Sequence, residues 1–270
     1  MSTPTGDQGL SLSAIASALR AAGCVFAEAE AEVLAAAAPT ADALRAMLEQ
    51  RAAGLPLEHV VGWAEFCGLR VAVDPGVFVP RRRSELLVRQ AAQLCGPGGV
   101  VIDLACGCGA IGAAIASLVT AAQLHACDID QAAVRCARRN LRPLGGHVYA
   151  GDLYQPLPRR LRGKAAVIAG NVPYVPTEQV RLMPAEARTH EPLVALDGGP
   201  DGLGVLRQAA AGAGDWLAPG GHLLIEVSAG QAAEAAAAFA DAGLAAAVAD
   251  DDDLGATVII GRQPASVPRR

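Results

Sequence analysis

The chain has 270 residues, a net charge of −5 and 52% hydrophobic residues. This composition is typical of a globular protein, and the length suits one large domain with a small appendage. The acidic balance argues against a general affinity for nucleic acid, and neither a signal peptide nor a membrane-spanning apolar run is visible. We therefore expect a soluble, cytoplasmic protein.

The seven cysteines are scattered along the chain. Cys106 and Cys108 form a C-x-C pair, but no second pair of cysteines or histidines stands at the spacing of a zinc site. An odd number of cysteines is also unlike a disulfide framework. We expect reduced and mostly buried thiols, with no metal site.

The first part of the chain has a helical pattern of apolar residues. The pattern starts at Ser11, stops at a proline, and resumes at about Ala41, where Thr40 or Asp42 is a candidate N-cap. We predict a small all-α domain over residues 1–55, with a frayed start over residues 1–10.

The next stretch changes to an alternation of apolar and polar residues. It includes Val60 and Val61, has turn signals at Cys67-Gly68 and Pro75-Gly76, and continues to Val77-Phe78. This alternation predicts a β-hairpin linker over residues 56–84.

A basic run, Arg81-Arg82-Arg83, closes the predicted linker. Two interpretations stay open, a solvated turn and a docking site for an anionic partner. Ser84 follows the arginines and is a candidate N-cap for a helix that begins at Glu85.

A glycine-rich turn, Cys106–Gly109, joins an apolar strand to a helix. Its glycines let backbone N–H groups approach a ligand at the N-terminus of the helix. Asp128 ends the next strand about 20 residues later, the separation at which an acidic side chain binds ribose hydroxyls. Asp152, at the end of the following strand, is placed to accept from an adenine amino group.

The same turn satisfies G-x-G-x-x-G through Gly107, Gly109 and Gly112, which also suits a nicotinamide dinucleotide. Asp103, four residues before the first glycine, would repel a diphosphate. Carboxylates instead suit S-adenosylmethionine, which carries a sulfonium and an ammonium group. We expect S-adenosylmethionine as the cofactor, with Asp103 in a supporting role that includes orienting the loop, and keep a nicotinamide-dependent oxidoreductase as an alternative.

The stretch Gly170–Pro176 follows an apolar strand and is too rich in proline to start a helix at once. The Asn171 side chain and the Val172 carbonyl are suited to accept both hydrogens of a planar –NH2 group, with Tyr174 against its flat face. A plain strand-to-loop exit with a structural asparagine is the alternative. The predicted catalytic and substrate-binding residues are Asn171, Val172, Pro173 and Tyr174.

These motifs give one set of predicted cofactor contacts. It comprises Asp103, Ala105, Cys106, Gly107, Cys108, Gly109, Asp128, Asp152, Leu153 and Asn171.

The remaining segments complete an α/β pattern. Helices are expected over residues 203–217 and 230–242, with a strand from His222 to Val227 between them. We interpret His190 as a packing residue rather than a general base. A methyltransferase domain over residues 85–262 and a disordered tail over residues 263–270 follow.

With these residues in place, the chain resembles the protein-(glutamine-N5) methyltransferases that modify peptide-chain release factors. The resemblance covers nearly the whole chain. It is carried by Phe66-Cys67-Gly68, Val79-Pro80-Arg81, Ser84-Glu85, Asp103–Gly109, Asn171–Tyr174, Glu191-Pro192, Ala195-Leu196 with Gly198-Gly199, and Glu226 with Gln231. It implies a seven-stranded, Rossmann-like class I methyltransferase sheet with a small all-α N-terminal domain, S-adenosylmethionine as cofactor, and a protein glutamine as acceptor.

The defining motif of that family is Asn-Pro-Pro-Tyr, and here Val172 replaces the first proline. The extended path is expected to persist because Val172 is β-branched and precedes Pro173. We expect the altered position to lie against the substrate, so that a different acceptor protein is an alternative. Methylation of an exocyclic amine in DNA or RNA, and a degenerate cofactor binder that serves as a partner module, also stay open.

Overall fold

The computed structural model describes residues 10–265, and its contacts divide the chain into two compact units between Trp63 and Ala64. Residues 1–9 of the predicted frayed start and residues 266–270 of the predicted tail lie outside the described residues. The domain bounds expected from the sequence stay a prediction.

The N-terminal unit is built from short helices around an apolar centre. Its helices are α1 (Leu12–Ala21), α2 (Ala27–Ala37), α3 (Ala41–Ala52) and α4 (Leu57–Val61). Ile15, Leu19 and Leu34 are fully buried between them. Thr40 caps α3 as predicted, since its hydroxyl accepts from the Ala43 N–H at 3.1 Å. The predicted all-α character is confirmed for the described part of this unit.

The prediction of a strand at Val60 and Val61 is wrong, because both residues lie in α4. Pro56 precedes the helix, and Gly62 ends it in a left-handed conformation with φ of 80°. The two boundary residues define one helical turn, which overrides the strand preference of the valines.

A two-stranded hairpin follows, made of β1 (Trp63–Phe66) and β2 (Leu69–Ala72). Cys67 and Gly68 both have positive φ, 50° and 74°, as a tight hairpin turn requires. The hairpin is therefore confirmed at the predicted turn. It stops at Ala72, so the predicted continuation to residues 77–78 is wrong, and those residues form a turn and coil.

The second unit contains a seven-stranded sheet. The strands are β3 (Val100–Leu104), β4 (Gln123–Asp128), β5 (His147–Ala150), β6 (Ala165–Gly170), β7 (Leu217–Val227), β8 (Ala245–Asp251) and β9 (Ala256–Arg262). The spatial order is β5-β4-β3-β6-β7-β9-β8, in which β9 is antiparallel to both of its neighbours and all other pairs are parallel. The order reverses between β3 and β6, which is where open α/β sheets bind ligands at the carboxyl ends of their strands.

The described part of this unit also contains helices. They are α5 (Glu85–Leu94), α6 (Ala110–Leu118), α7 (Gln131–Leu141), α8 (Thr177–Val180), α9 (Ala185–His190), α10 (Gly204–Ala213) and α11 (Ala232–Asp241). One apolar cluster joins α5, α6 and α7 to the sheet, and a second joins α10 and α11 to it. The predicted seven-stranded α/β architecture is confirmed.

Two predicted boundaries in this unit are wrong. The helix expected over residues 203–217 ends at Ala213, and Leu217 already belongs to β7. Gln263, which the sequence placed in a disordered tail, exchanges backbone hydrogen bonds with Gly220 and Gly221 and so extends the pairing of β9 with β7.

Candidate active site

A cavity of about 190 Å³ opens at the switch point of the sheet. Its walls come from the loops after β3, β4, β5 and β6, from the starts of the helices that follow them, and from three more distant segments, at residues 78–84, 192–195 and 205. The lining residues are Phe78, Pro80, Ser84, Ala105, Cys106, Gly107, Cys108, Ala110, Ile111, Asp128, Ile129, Asp130, Ala133, Asp152, Leu153, Asn171, Pro173, Pro192, Val194, Ala195 and Val205. The structure thus gathers most of the predicted cofactor contacts around one space.

Asp128 ties the glycine-rich turn to the next strand. Its Oδ2 accepts from the Gly107 N–H at 2.8 Å, and its Oδ1 accepts from the Asp130 N–H at 2.8 Å. Burial raises the pKa of this carboxyl above its usual value. Each oxygen keeps acceptor capacity towards the cavity, because a carboxylate oxygen takes more than one hydrogen bond.

Asp103 lies beneath the cavity wall and is fully buried. Its Oδ2 accepts from the Gly112 N–H at 2.8 Å, while Oδ1 has no partner among the described residues. A Cβ at position 112 would stand 2.9 Å from Oδ2, which explains the glycine there. Of the two roles considered for Asp103, this geometry supports the orientation of the loop and helix.

Two cavity residues have a backbone conformation that L-residues rarely adopt. Ala105 has φ of 50° and Leu153 has φ of 42°. Positive φ at non-glycine residues stores strain and is frequent at binding sites. Both residues present their loops to the cavity, at the ends of β3 and just after β5.

Asn171 lines the cavity immediately after β6. Its Nδ2 donates to Ser84 Oγ at 3.2 Å. Its Oδ1 accepts no hydrogen bond from the part of the chain that the structure describes. The acceptor end of this carboxamide is therefore available to a ligand.

Val172 does not face the cavity. Its side chain is 1% exposed and packs in the apolar cluster with Leu104 and Val227. The expectation that the altered position lies against the substrate is therefore wrong, because the side chain points into the core. Only its backbone carbonyl remains for the predicted contact.

Tyr174 also stands outside the cavity wall. Its hydroxyl contacts the Arg83 guanidinium and lies 3.5 Å from Glu226 Oε1. Burial raises the pKa of this phenol to about 12, so it stays protonated. The packing of its ring on the acceptor group stays a prediction.

The Arg81-Arg82-Arg83 run is neither a fully solvated turn nor a set of unpaired arginines open to an anionic partner. Arg81 pairs with Glu191 at 2.6 Å, and Arg83 pairs with the fully buried Glu226 at 2.8 Å. Only Arg82 is exposed. These pairs connect the segment before α5 to loops far along the chain.

Ser84 does not cap α5. It lies in a short 3-10 turn with helical backbone angles, and its hydroxyl donates to Glu226 Oε2 at 2.5 Å. An N-cap residue needs an extended backbone to reach the first N–H groups, so the prediction of a cap is wrong. Ser84 instead lines the cavity beside Asn171.

The Asn171–Tyr174 loop is braced by residues to which the sequence assigned no role. Gln231 Nε2 donates to the Tyr174 carbonyl at 2.9 Å. A Cβ at Gly202 would stand 2.2 Å from the Tyr174 carbonyl oxygen, so only glycine fits there. The family signature already contained Gln231, and that membership is the signal that marks it.

The cysteines are all free thiols within the described residues. Cys106 and Cys108 line the cavity but are buried, and burial raises the pKa of both thiols. No group of three potential metal ligands occurs in the part of the chain that was described. His190 ends α9 and is not among the cavity residues. No described helix is long and apolar enough to cross a lipid bilayer.

The sheet order, the switch-point cavity and its ring of carboxylates define the class of protein, a Rossmann-like methyltransferase. The family model for the methyltransferase small domain matches residues 68–190. A methyltransferase from Pyrococcus furiosus has the same fold, with a TM-score of 0.56 at 17% identity over 73% of this chain and 90% of that one.

Relatives of known name identify the family within this class of methyltransferases. The release factor glutamine methyltransferase of Geobacter sulfurreducens is 33% identical over 81% of this chain and 77% of its own length. The 4-amino-L-phenylalanine/4-methylamino-L-phenylalanine methyltransferase of Streptomyces pristinaespiralis is 37% identical over 68% of this chain and 65% of its own. The chain belongs to the release factor glutamine methyltransferase family. It is an enzyme, and the alternatives of a nicotinamide oxidoreductase and a degenerate binder are rejected.

Proposed function

We propose that this enzyme transfers a methyl group from S-adenosylmethionine to the side-chain amide nitrogen, N5, of a glutamine in a peptide-chain release factor. The Geobacter relative carries that activity in its name, and the chain covers 77% of it. A release factor as acceptor places the reaction in the cytoplasm, where translation takes place.

The cavity residues fit S-adenosylmethionine. Asp128, Asp130 and Asp152 line the cavity, and the unpaired Oδ1 of Asp103 lies beneath it. Carboxylates at these positions suit a ligand with two cationic groups and ribose hydroxyls. When bound, the cofactor supplies an electrophilic methyl group. The remaining predicted contacts, from Ala105 to Gly109, Leu153 and Asn171, would hold it.

Asn171 carries the proposal on the acceptor side. An amide nitrogen is a poor nucleophile because its lone pair is delocalised. Asn171 Oδ1 and the Val172 carbonyl hold both N–H groups of the acceptor, which turns the nitrogen lone pair towards the methyl group. Neither carbonyl accepts a hydrogen bond from the described residues. Alignment of this kind contributes several kcal/mol to lowering a barrier, of the roughly 7–11 that orientation supplies at most.

Asn171 Oδ1 and the Val172 carbonyl form an uncharged cradle for the acceptor amide. A neutral cradle suits a reaction in which positive charge moves from the cofactor to the acceptor. Transfer would form a carbon–nitrogen bond and break the carbon–sulfur bond of the cofactor, and positive charge would move onto the acceptor N–H groups, where the two carbonyl oxygens stabilise it. One N–H proton would then leave to water. The Val172 side chain is buried and does not line the cavity, so the replacement of proline places no new group against the acceptor. This supports the acceptor of the family rather than a different one.

The test is the transfer of labelled methyl from S-adenosylmethionine to purified release factors of the host. We expect label in a release factor, and we expect it to disappear when the acceptor glutamine is replaced by alanine. A parallel reaction contains 4-amino-L-phenylalanine, the substrate in the name of the Streptomyces relative. A further reaction contains total cell protein and RNA.

Each alternative has its own outcome in this experiment. Label in the arylamine alone would contradict the proposal and assign a small-molecule acceptor. Label in another protein or in nucleic acid alone would contradict it as well. Methylation of the release factor that survives replacement of its glutamine would reject N5 as the site.

A further inference from the structure

A buried chain of hydrogen bonds runs from the cavity to the core. Asn171 Nδ2 donates to Ser84 Oγ at 3.2 Å, and Ser84 Oγ donates to Glu226 Oε2 at 2.5 Å. Ser84 is 1% exposed and Glu226 is fully buried. The two links join residues 87 and 142 positions apart in sequence.

The direction of the proton in each link is fixed by chemistry. A carboxylate only accepts, so the single hydroxyl proton of Ser84 is committed to Glu226. The Ser84 oxygen is then left with lone pairs alone. Of the two ends of the Asn171 carboxamide, only the –NH2 end is able to bond to it.

Arg83 holds the Glu226 carboxylate in place beside Ser84. Its Nε donates to Glu226 Oε1 at 2.8 Å, and its Nη2 donates to the Tyr174 hydroxyl. A guanidinium donates and never accepts, so Arg83 and Ser84 both act as donors to Glu226, at Oε1 and Oε2 respectively.

We propose that Ser84 and Glu226 are positioning residues that set the orientation of the Asn171 carboxamide, so that Oδ1 and not Nδ2 faces the cavity. The reversed carboxamide would present donors to an acceptor –NH2 group, and the two groups would repel. The proposal deepens the proposed function, on which it rests, by stating why the asparagine acts as an acceptor.

Substitutions at these two residues distinguish two roles. In the first, Ser84 and Glu226 set which end of the Asn171 carboxamide faces the cavity; in the second, a tether, Ser84 only holds the Asn171 side chain in place by any hydrogen bond. Ser84→Ala removes the preference for Oδ1 over Nδ2 at the cavity. We expect kcat to fall about 10-fold, the effect of one lost hydrogen bond. Ser84→Thr keeps the hydroxyl and restores the rate to within about threefold of wild type. Glu226→Gln places an amide N–H on Ser84 Oγ, which frees the serine proton to donate to Asn171 Oδ1 and reverses the carboxamide.

The orientation model therefore predicts that Glu226→Gln is slower than Ser84→Ala. A tether predicts the opposite order, because Glu226→Gln keeps a bond between Ser84 and Asn171. Ser117→Ala is the matched control, since that hydroxyl bonds to the Ala114 carbonyl within α6. The Kd for S-adenosylmethionine, measured by calorimetry, is expected to change by less than about threefold in each variant. Together with an unchanged melting temperature, this result excludes unfolding as the cause of a slower reaction.

A second readout does not depend on the acceptor. The chain contains two asparagines, Asn140 and Asn171. Selective ¹⁵N labelling of asparagine side chains therefore gives two amide signals in NMR spectra. Asn140 Nδ2 donates to the Ala72 and Cys108 carbonyls at 2.8 Å and serves as the internal reference.

We expect the Asn171 amide protons of the wild type to exchange slowly with solvent. Exchange should be at least about 10-fold faster in Ser84→Ala and Glu226→Gln, with the Asn140 signal unchanged. Equal exchange in all three proteins would overturn the positioning role. An inactive wild type with the expected exchange pattern would reject the proposed function and keep this inference. An active wild type whose Asn171 exchange is the same in all three proteins would keep the proposed function and reject this inference.

Discussion

Asp103 is a carboxyl group buried at the end of β3 with only one oxygen satisfied. Burial raises its pKa from 3.8 to about 7, and the nearby Asp128 adds to the shift. Since the folded pKa is the higher one, the folded protein binds an extra proton between those pH values. The resulting contribution to stability is complete below pH 3.8 and disappears as the pH rises through about 7.

The first prediction follows from this linkage. We expect the free energy of unfolding, measured with urea, to fall as the pH rises from about 5 to about 8, because the contribution of Asp103 is lost over that range. Asp103→Asn keeps an acceptor for the Gly112 N–H and carries no charge, so its profile should rise relative to wild type as the pH increases. Parallel profiles for the two proteins would show that Asp103 has an ordinary pKa.

Val172 shows how one residue is misjudged from sequence. Its place in the motif suggested contact with the substrate, but the side chain is buried in the core. Neighbouring residues of an extended segment point to opposite sides. Asn171 and Pro173 line the cavity, so the residue between them faces away from it.

At the scale of elements, strong local patterns were sufficient for the parts that hold the cofactor. Strand β3 runs into the glycine turn and β4 ends at Asp128, both as predicted. These elements have clear periodicity and glycine or aspartate at their ends.

Contacts between distant segments could not be predicted in the same way. Ser84 looked like a cap because serine before a helix usually is one. Its actual partner, Glu226, is 142 residues away. The strained backbone of Ala105 and Leu153 also left no local signal. The ligand-binding loop was therefore predictable, whereas the network behind Asn171 was not.

The second prediction concerns the turn over residues 198–202. Gly202→Ala introduces a Cβ 2.2 Å from the Tyr174 carbonyl oxygen at a φ of 78°. The loop must shift, and strain of this type costs roughly 1–3 kcal/mol. We expect kcat/KM to fall at least about 10-fold, measured by methyl transfer.

Gly96→Ala is the matched control for this change. Its Cβ would meet no atom within 4 Å, and its φ is not in the left-handed region. We expect activity close to wild type. Equal activity of the two variants would show that the turn does not brace the Asn171 loop.

At the scale of the whole molecule, the cavity belongs entirely to the second unit. Its lining residues run from Phe78 to Val205, all beyond the division at Trp63 and Ala64. The protein is therefore expected to bind its cofactor without the helical unit.

The third prediction tests this independence. A truncated protein that begins at Gly62 retains both strands of the hairpin. We expect calorimetry to give a Kd for S-adenosylmethionine within about threefold of the full chain, less than 1 kcal/mol. A folded but non-binding truncated protein, judged by circular dichroism, would show that the first unit contributes to the site.

The central claim is that Asn171 holds the acceptor amide for methyl transfer. The most direct test measures both methyl transfer to a release factor and cofactor affinity in Asn171→Ala. We predict a fall in kcat of at least about 1,000-fold with cofactor Kd changed by less than about fivefold, because alignment and not binding is lost. Unchanged turnover in this variant would contradict the amide cradle and the function proposed from it.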